Sequence, residues 1–433
     1  MKKYFLTLVV ILCCNVFVKA QAPNNIPKEE KIAGLCKLWI ETKYNFIFLE
    51  QFGRERWDSI CNAALFTIGN TRDDYEYYRE MQRICAMLKD GHTNVYLPEN
   101  IRTRYQRSVP FGTKLIEDKV VITDIYNDTL LKMGIVKGAE IITVKGKDVK
   151  AYTEEETIPF LSASTQQDLK KRAYTYDFLL GPRNETIPIV IKTPEGQTRQ
   201  IEVTRSMRWT NPPVAKKVIE FKVLSGNIGL LSLNSFDNNS FYTYFDSIYN
   251  FILSTDALII DLRANSGGSG SYGFYALSHF VKQSFFGTSW ITNQYIAKLK
   301  AGGDPDRWFG TPGKKYNPVS KPIYQKPIVW LTNAFTFSAA EDVTATFKYL
   351  KRGTVIGTAT GGSTGQPIWF NLPGGGRLRI CTEKNTYPDG TAFVGIGVLP
   401  DIEVKETIKD VINGTDTQMM KAIEYIQKNA KND

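Results

Sequence analysis

Between residues 28 and 90 apolar side chains recur at intervals of three and four. They run through Ile32, Leu35, Leu38 and Trp39, and again through Tyr77, Tyr78, Met81, Ile84, Met87 and Leu88. That spacing places them on one face of a helix. Gly53 and the Gly69–Asn70 pair are the only strong breaks, so this stretch predicts a small helical domain ending at Asp90–Gly91. From about residue 107 the period changes to two, as in a half-buried strand. Residues 119–125 alternate, and two further runs, 187–192 and 200–204, flank the turn residues Thr193-Pro-Glu-Gly196. Beyond residue 206 the pattern changes again, to short continuous apolar runs at 228–233, 257–262, 328–332 and 355–357. Helical periodicity lies between and after them, at 239–254, 271–282, 338–351 and 415–428. Strands alternating with helices predict an α/β layer fold with a largely parallel sheet. No internal repeat or low-complexity tract interrupts this order.

The 433 residues, 42% apolar and 23% charged, have an ordinary globular composition. That excludes a disordered chain, a fibrous repeat and a small disulfide scaffold. The N-terminus stands apart. Lys2 and Lys3 precede an uncharged run from Tyr4 to Val18, and Ala20 and Ala22 frame Gln21. A basic start, a short apolar stretch and small residues at a cleavage site predict a secretory signal peptide over residues 1–20, hence export to the periplasm or the exterior. No later run is long enough to span a membrane. The net charge of +10 is concentrated in residues 295–326, where seven basic side chains face two acidic ones. Without a nucleic-acid-binding motif this reads as a solvated loop, and no nucleic-acid partner is expected. Cys36, Cys61, Cys85 and Cys381 follow the leader and form no C-x-x-C pair, so neither a metal site nor a disulfide pattern is legible.

Three places concentrate residues able to do chemistry. Asp261-Leu-Arg-Ala-Asn-Ser-Gly-Gly268 ends an apolar run in a glycine-rich turn, where backbone N–H groups approach a ligand unobstructed. Ser338 opens a helix after Thr332-Asn-Ala-Phe-Thr-Phe, where free N–H groups and the helix dipole favour an oxyanion. The same serine, with Glu341 three residues on, also reads as a plain capping box. Asp90-Gly-His92-Thr93 carries one of only two histidines. His279 sits on an apolar face with Tyr275, Leu277 and Phe280 and reads as structural. A serine nucleophile needs a base, and His92 is the histidine free to serve.

In this order the motifs resemble those of the tail-specific, or C-terminal processing, serine proteases and the related tricorn core domain. Asp90-Gly-His-Thr93, residues 261–268, Thr336-Phe-Ser-Ala-Ala-Glu341, Gly357-Thr-Ala-Thr-Gly-Gly362 and Gly397-Val-Leu-Pro-Asp-Ile402 carry the resemblance. Met133–Val149, with glycine-punctuated strands, resembles the core of a PDZ domain. The resemblance implies a crotonase/Clp-protease-like α/β catalytic domain over 206–433. An N-terminal helical domain would occupy 21–105, with an inserted PDZ-like β-rich domain at 106–205. It implies Ser338 as nucleophile, with an oxyanion hole formed by the N–H of Ala339 and one from Gly267 or Gly268. No metal or organic cofactor is implied. Peptides or unfolded proteins are the implied substrates.

The chain also departs from the family. Ser363 stands where Ser–Lys members carry their lysine, and no lysine lies between Lys351 and Lys384. A serine cannot act as that base. The tricorn-like branch uses a histidine, here His92, and a glutamate whose place is taken by Val394. Asp90, Glu341 and Asp389 are therefore the candidates for orienting His92, and Ser363 either supports the site or fills a turn. The expected activity is that of an exported serine endopeptidase. The alternative is a catalytically inactive peptide-binding protein of the same fold.

Overall fold

The structure, a computed structural model, describes residues 25–305 and 307–429. The expected signal peptide lies outside the described residues. Helices Lys28–Asn45, Arg54–Ile68 and Asp74–Ala86 form the first layer, and Asp73 caps the third by accepting from Glu76 N–H. Their apolar stripes meet around buried Leu35, Leu38, Trp57, Tyr77, Tyr78 and Met81. That core is completed from far along the chain, by Leu378, Ile380 and Cys381. These belong to the strand Arg377–Cys381, which pairs with Asn94–Tyr96 on one side and Pro367–Asn371 on the other. The helical layer and the late sheet therefore share one interior, and the turn carrying His92 lies between them.

Phe111–Ile116, Lys119–Ile125, Glu140–Val144, Thr186–Lys192 and Thr198–Thr204 run in that order through an antiparallel six-stranded sheet, whose sixth strand, Lys147–Asp148, pairs with Glu140–Val144. Its alternation buries Val120, Ile122, Ile141, Val144, Ile187, Ile189, Ile191 and Val203 on one side. The last two strands pair Ile187 with Val203 across the Thr193–Gln197 turn, as the period-two pattern predicts.

The largest apolar runs build a six-stranded sheet ordered 402–403, 354–357, 328–332, 257–261, 228–233 and 219–224. Pairing is parallel throughout except for the hairpin between the last two. Leu258, Ile260 and Trp330 point to one side with Phe245, Val343 and Phe347; Ile259, Val329 and Leu331 point to the other with Ala422 and Ile426. Burial on both faces is why these strands read as unbroken apolar runs rather than alternations. Strands 257–261 and 328–332 are parallel neighbours, so the loops after them emerge at the same edge of the sheet, where α/β folds place ligands.

One detail differs from the sequence reading. The basic stretch is not wholly loop: Arg307–Thr311 pairs with Ser289–Gln294, which also pairs with Glu383–Thr386, and half-exposed Trp308 and Phe309 lie on this small sheet. The four cysteines among the described residues are free thiols, with Cys61, Cys85 and Cys381 buried, a question of pairing the sequence left open. His279 is buried among Phe245, Tyr249 and Tyr275, with Nδ1 2.9 Å from the Tyr275 carbonyl, the structural role its apolar face predicts.

Candidate active site

Ser338 follows strand 328–332 and precedes helix Ala339–Tyr349, with φ +57° and ψ −130°. A serine in this region is strained, a conformation found where a strand-to-helix turn must present a side chain. Its N–H holds it there, donating to the Ser363 carbonyl and to Glu341 Oε2, both at 3.1 Å. Its Oγ is 3.0 Å from His92 Nε2. The His92 ring is fixed on two further sides. Nδ1 lies 2.8 Å from Ser363 Oγ, and the imidazole stacks on Phe337 with centroids 4.9 Å apart and planes 6° from parallel. The residues singled out at 92, 338 and 363 thus meet in one line, although 246 and 271 positions separate His92 from the two serines.

His92 is only 3% exposed, and burial holds its pKa well below the usual 6.5. The cations of Arg379, Arg172 and Lys171 press in the same direction. A neutral imidazole that accepts from Ser338 at Nε2 carries its proton on Nδ1 and donates it to Ser363.

Gly267 packs against the serine. A Cβ there would lie 2.7 Å from Ser338 Cβ and 2.8 Å from the Phe337 carbonyl, and φ is +102°. The Gly267 N–H is already donated to Asn265 Oδ1 at 2.9 Å, and Asn265 is itself anchored on the Leu233 carbonyl. The amides of Gly268 and Ala339 have no hydrogen-bond partner among the described residues. Of the two glycines named from sequence, Gly268 is therefore the one with an amide to offer.

Glu341 is buried and does not touch His92. Its Oε1 accepts from Thr360 Oγ1 and Gly362 N–H at 2.6 Å, and its Oε2 from Ser363 N–H at 2.9 Å and Ser338 N–H at 3.1 Å. Burial pushes its carboxyl up, while these four donors favour the ionised form. Glu341 thus ties the Ser363 loop to the start of the helix. Asp90 shapes the histidine turn, accepting from His92 N–H at 3.2 Å and Thr93 Oγ1 at 2.7 Å, so it reaches the backbone and not the ring. Asp389 is a correction: it lies in an exposed turn and accepts from Thr391 N–H, because Pro388–Gly390 loops outward. Val394 packs with Phe393 and Val398.

Sequence reading missed the clamp from residues 164–172. Ser164 Oγ accepts from Gly91 N–H, Thr165 donates to the Gly361 carbonyl, and Lys171 donates to the Ala334 carbonyl. Buried Asp168 pairs with Lys171 at 2.6 Å and Arg172 at 2.9 Å. The Lys170-Lys-Arg172 run was the only local signal, and it resembles an ordinary solvated patch. No group of three or more His, Cys, Asp or Glu among the described residues could hold a metal ion.

Residues 227–404 match the family described as Peptidase family S41. That stretch, about two fifths of the chain, is similar to an S41 peptidase domain. It is 24% identical over 312 residues to a carboxy-terminal-processing protease of Bartonella bacilliformis, covering 69% of this chain and 61% of that protein. A carboxyl-terminal-processing protease of Picosynechococcus is 23% identical over 86% of this chain and 83% of its own length. The chain thus spans about three fifths of the Bartonella protein. Among solved structures, mature CPAF complexed with lactacystin superposes with a TM-score of 0.71, covering 93% of this chain and 97% of that one at 16% identity. A putative peptidase from Parabacteroides merdae gives 0.55 at 19% identity, over 93% and 97%. At these identities the likeness is one of fold. The matched residues include Ser338, the glycine turn and the Ser363 loop, while His92 lies before them in the chain.

Proposed function

We propose that this chain is an exported serine endopeptidase cleaving peptides or exposed protein tails. The observation that carries the reading is the 3.0 Å separation of Ser338 Oγ and His92 Nε2, within reach of direct proton transfer. His92, neutral and held flat on Phe337, takes the hydroxyl proton as Ser338 attacks the substrate carbonyl. The amides of Gly268 and Ala339 receive the developing oxyanion, helped by the positive end of helix 339–349. His92 then protonates the leaving amine, and water releases the acyl-enzyme by the reverse route.

Ser363 takes the orienting place that a carboxylate fills in a Ser-His-Asp triad. A hydroxyl fixes the tautomer but stabilises the imidazolium less than an anion does. Behind it, Glu341 holds the Ser363 backbone. The antiparallel sheet at 111–204 we take as the PDZ-like unit, binding an extended segment by strand addition. Among the described residues no helix is long and apolar enough to cross a membrane.

Labelling with a fluorophosphonate probe tests the reading. The wild-type protein is expected to be modified at Ser338 and the His92→Ala variant to react far more slowly. A folded wild-type protein that stays unlabelled would exclude it.

A further inference from the structure

Arg379 lies beside the histidine turn without a counter-ion. Its Nη2 donates to the Gly91 carbonyl at 3.1 Å and to Asn94 Oδ1, and its Nε is buried with no hydrogen-bond partner. Among the described residues no carboxylate lies within 4.0 Å of the guanidinium; Asp90 acts on it only from farther off. A largely buried, unpaired cation is costly, which makes it an unusual thing to keep for structure alone.

Its surroundings form a site rather than a gap. On the strand pairs 94–96, 377–381 and 367–371, alternation puts Asn94, Tyr96, Arg377, Arg379 and Trp369 on one face. Arg379 lies 5.5 Å from the ring centroids of both Tyr96 and Trp369, and those rings are 5.4 Å apart. Tyr96 is 36% exposed and Trp369 43%, so the aromatic walls open to solvent. On the other side Arg172, 5.3 Å from the Phe337 ring on which His92 stacks, shares the Asp168 carboxylate with Lys171. Both strands lead directly out of the site: 94–96 starts two residues after His92, and 367–371 four after Ser363.

We propose that Arg379, walled by Tyr96 and Trp369, is a substrate subsite for a carboxylate, which selects peptides bearing an anion next to the scissile bond. This rests on the peptidase reading above. The carboxylate is either the α-carboxylate of a chain end or an acidic side chain, since both offer a guanidinium the same two oxygens. Such an anion would also place near His92 the negative charge that the Ser363 hydroxyl does not provide.

The test is calorimetric titration of Ser338→Ala protein, which binds without turnover. Acetyl-tetra-alanine is compared with its C-terminal amide, and acetyl-Ala-Glu-Ala-Ala amide with the same peptide carrying Gln in place of Glu. At least one carboxylate is expected to bind about tenfold tighter than its neutral counterpart, and the pair that differs identifies the source. Adding Arg379→Gln is expected to bring that ratio close to one. Equal affinity for acids and neutral peptides, or a preference that survives Arg379→Gln, overturns the subsite. If that variant does not fold, the protein with Arg379 intact is treated with phenylglyoxal and mapped by mass spectrometry. The preferred peptide should slow modification of Arg379 and its neutral partner should not; equal rates overturn the proposal. Fluorophosphonate labelling of the wild type is read separately. A labelled Ser338 without carboxylate preference removes the subsite alone, whereas preference without labelling removes the peptidase reading.

Discussion

The Nδ1 atom of His92 is 2.8 Å from the hydroxyl of Ser363, a contact between the end of the helical layer and the loop beside Ser338. It puts position 363, where the family resemblance would place a lysine, against the proposed base. Removing the hydroxyl in Ser363→Ala leaves the imidazole N–H unpaired and free to turn. Loss of one net hydrogen bond predicts about a tenfold fall in kcat. Ser363→Lys should be worse, because an ammonium beside Nδ1 opposes the imidazolium that forms during the reaction. Kinetics of the two variants on one peptide check this. Activity in the lysine variant above that of wild type would mean that the serine–histidine pair is not the working machinery.

The pH profile follows from the burial of His92. Its usual pKa of about 6.5 would place the acid limb of activity there, but burial and then Arg379, Arg172 and Lys171 push it well below. The base works neutral, so activity is present above the folded pKa and lost as pH falls through it. The acid limb of kcat/KM should therefore lie below 6.5. The same shift affects stability with a definite sign. Below 6.5 the unfolded chain takes a proton that folded His92 resists, so the folded state is weakened as pH falls from there towards the folded value. Activity profiles of the wild type, with denaturant midpoints for wild type and His92→Ala, test both. The variant should lose part of the acid sensitivity.

Much of this was readable beforehand, for identifiable reasons. The parallel strands announced themselves because both faces of residues 257–261 and 328–332 are buried, leaving no polar alternation to confuse them. Ser338 and the Gly267–Gly268 turn were weak signals taken singly, since one also reads as a helix cap and the other as an ordinary turn; the order of motifs resembling the processing proteases singled them out. Long-range partners were not legible. Nothing near position 363 indicates that its hydroxyl meets His92, and nothing in Lys170-Lys-Arg172 indicates that two of the three are buried around Asp168. Asp389 looked as suitable as any carboxylate until the turn directed it outward. Local sequence carries backbone constraint, whereas the geometry of a triad is set by the packing of three separate layers.

Gly267→Ala probes the contact behind the nucleophile. The added Cβ would sit 2.7 Å from Ser338 Cβ at a φ of +102°, and it meets the Phe337 carbonyl and Ala339 nitrogen as well. Flexible side chains cannot absorb the clash, so Ser338 must shift. A displacement approaching 1 Å at a reacting atom costs about 100-fold in rate. We expect at least that loss in kcat with the fold retained by circular dichroism. Gly390→Ala, in open space on the Asp389 turn with φ +89°, is the control for backbone strain without such a clash.

Glu341→Gln separates an anchoring carboxylate from a buried neutral acid. Four donors converge on its two oxygens, two on each. A glutamine amide has one oxygen, so its NH2 must face two N–H or O–H groups in the interior. Two unmet donors against a new donor predict a loss of roughly 3 kcal/mol. Because those donors are the backbones of Ser338, Gly362 and Ser363 with the Thr360 hydroxyl, the loss should fall on the site as well as on the fold. Loosening the Ser363 loop releases the Nδ1 side of His92, and kcat should drop more than KM changes. Urea denaturation together with steady-state kinetics reads both effects. Were Glu341 protonated at neutral pH, one of its oxygens would already carry a hydrogen, and Gln would mimic it closely. A variant with wild-type stability would therefore show that the acid is neutral and that one of the four donors points elsewhere.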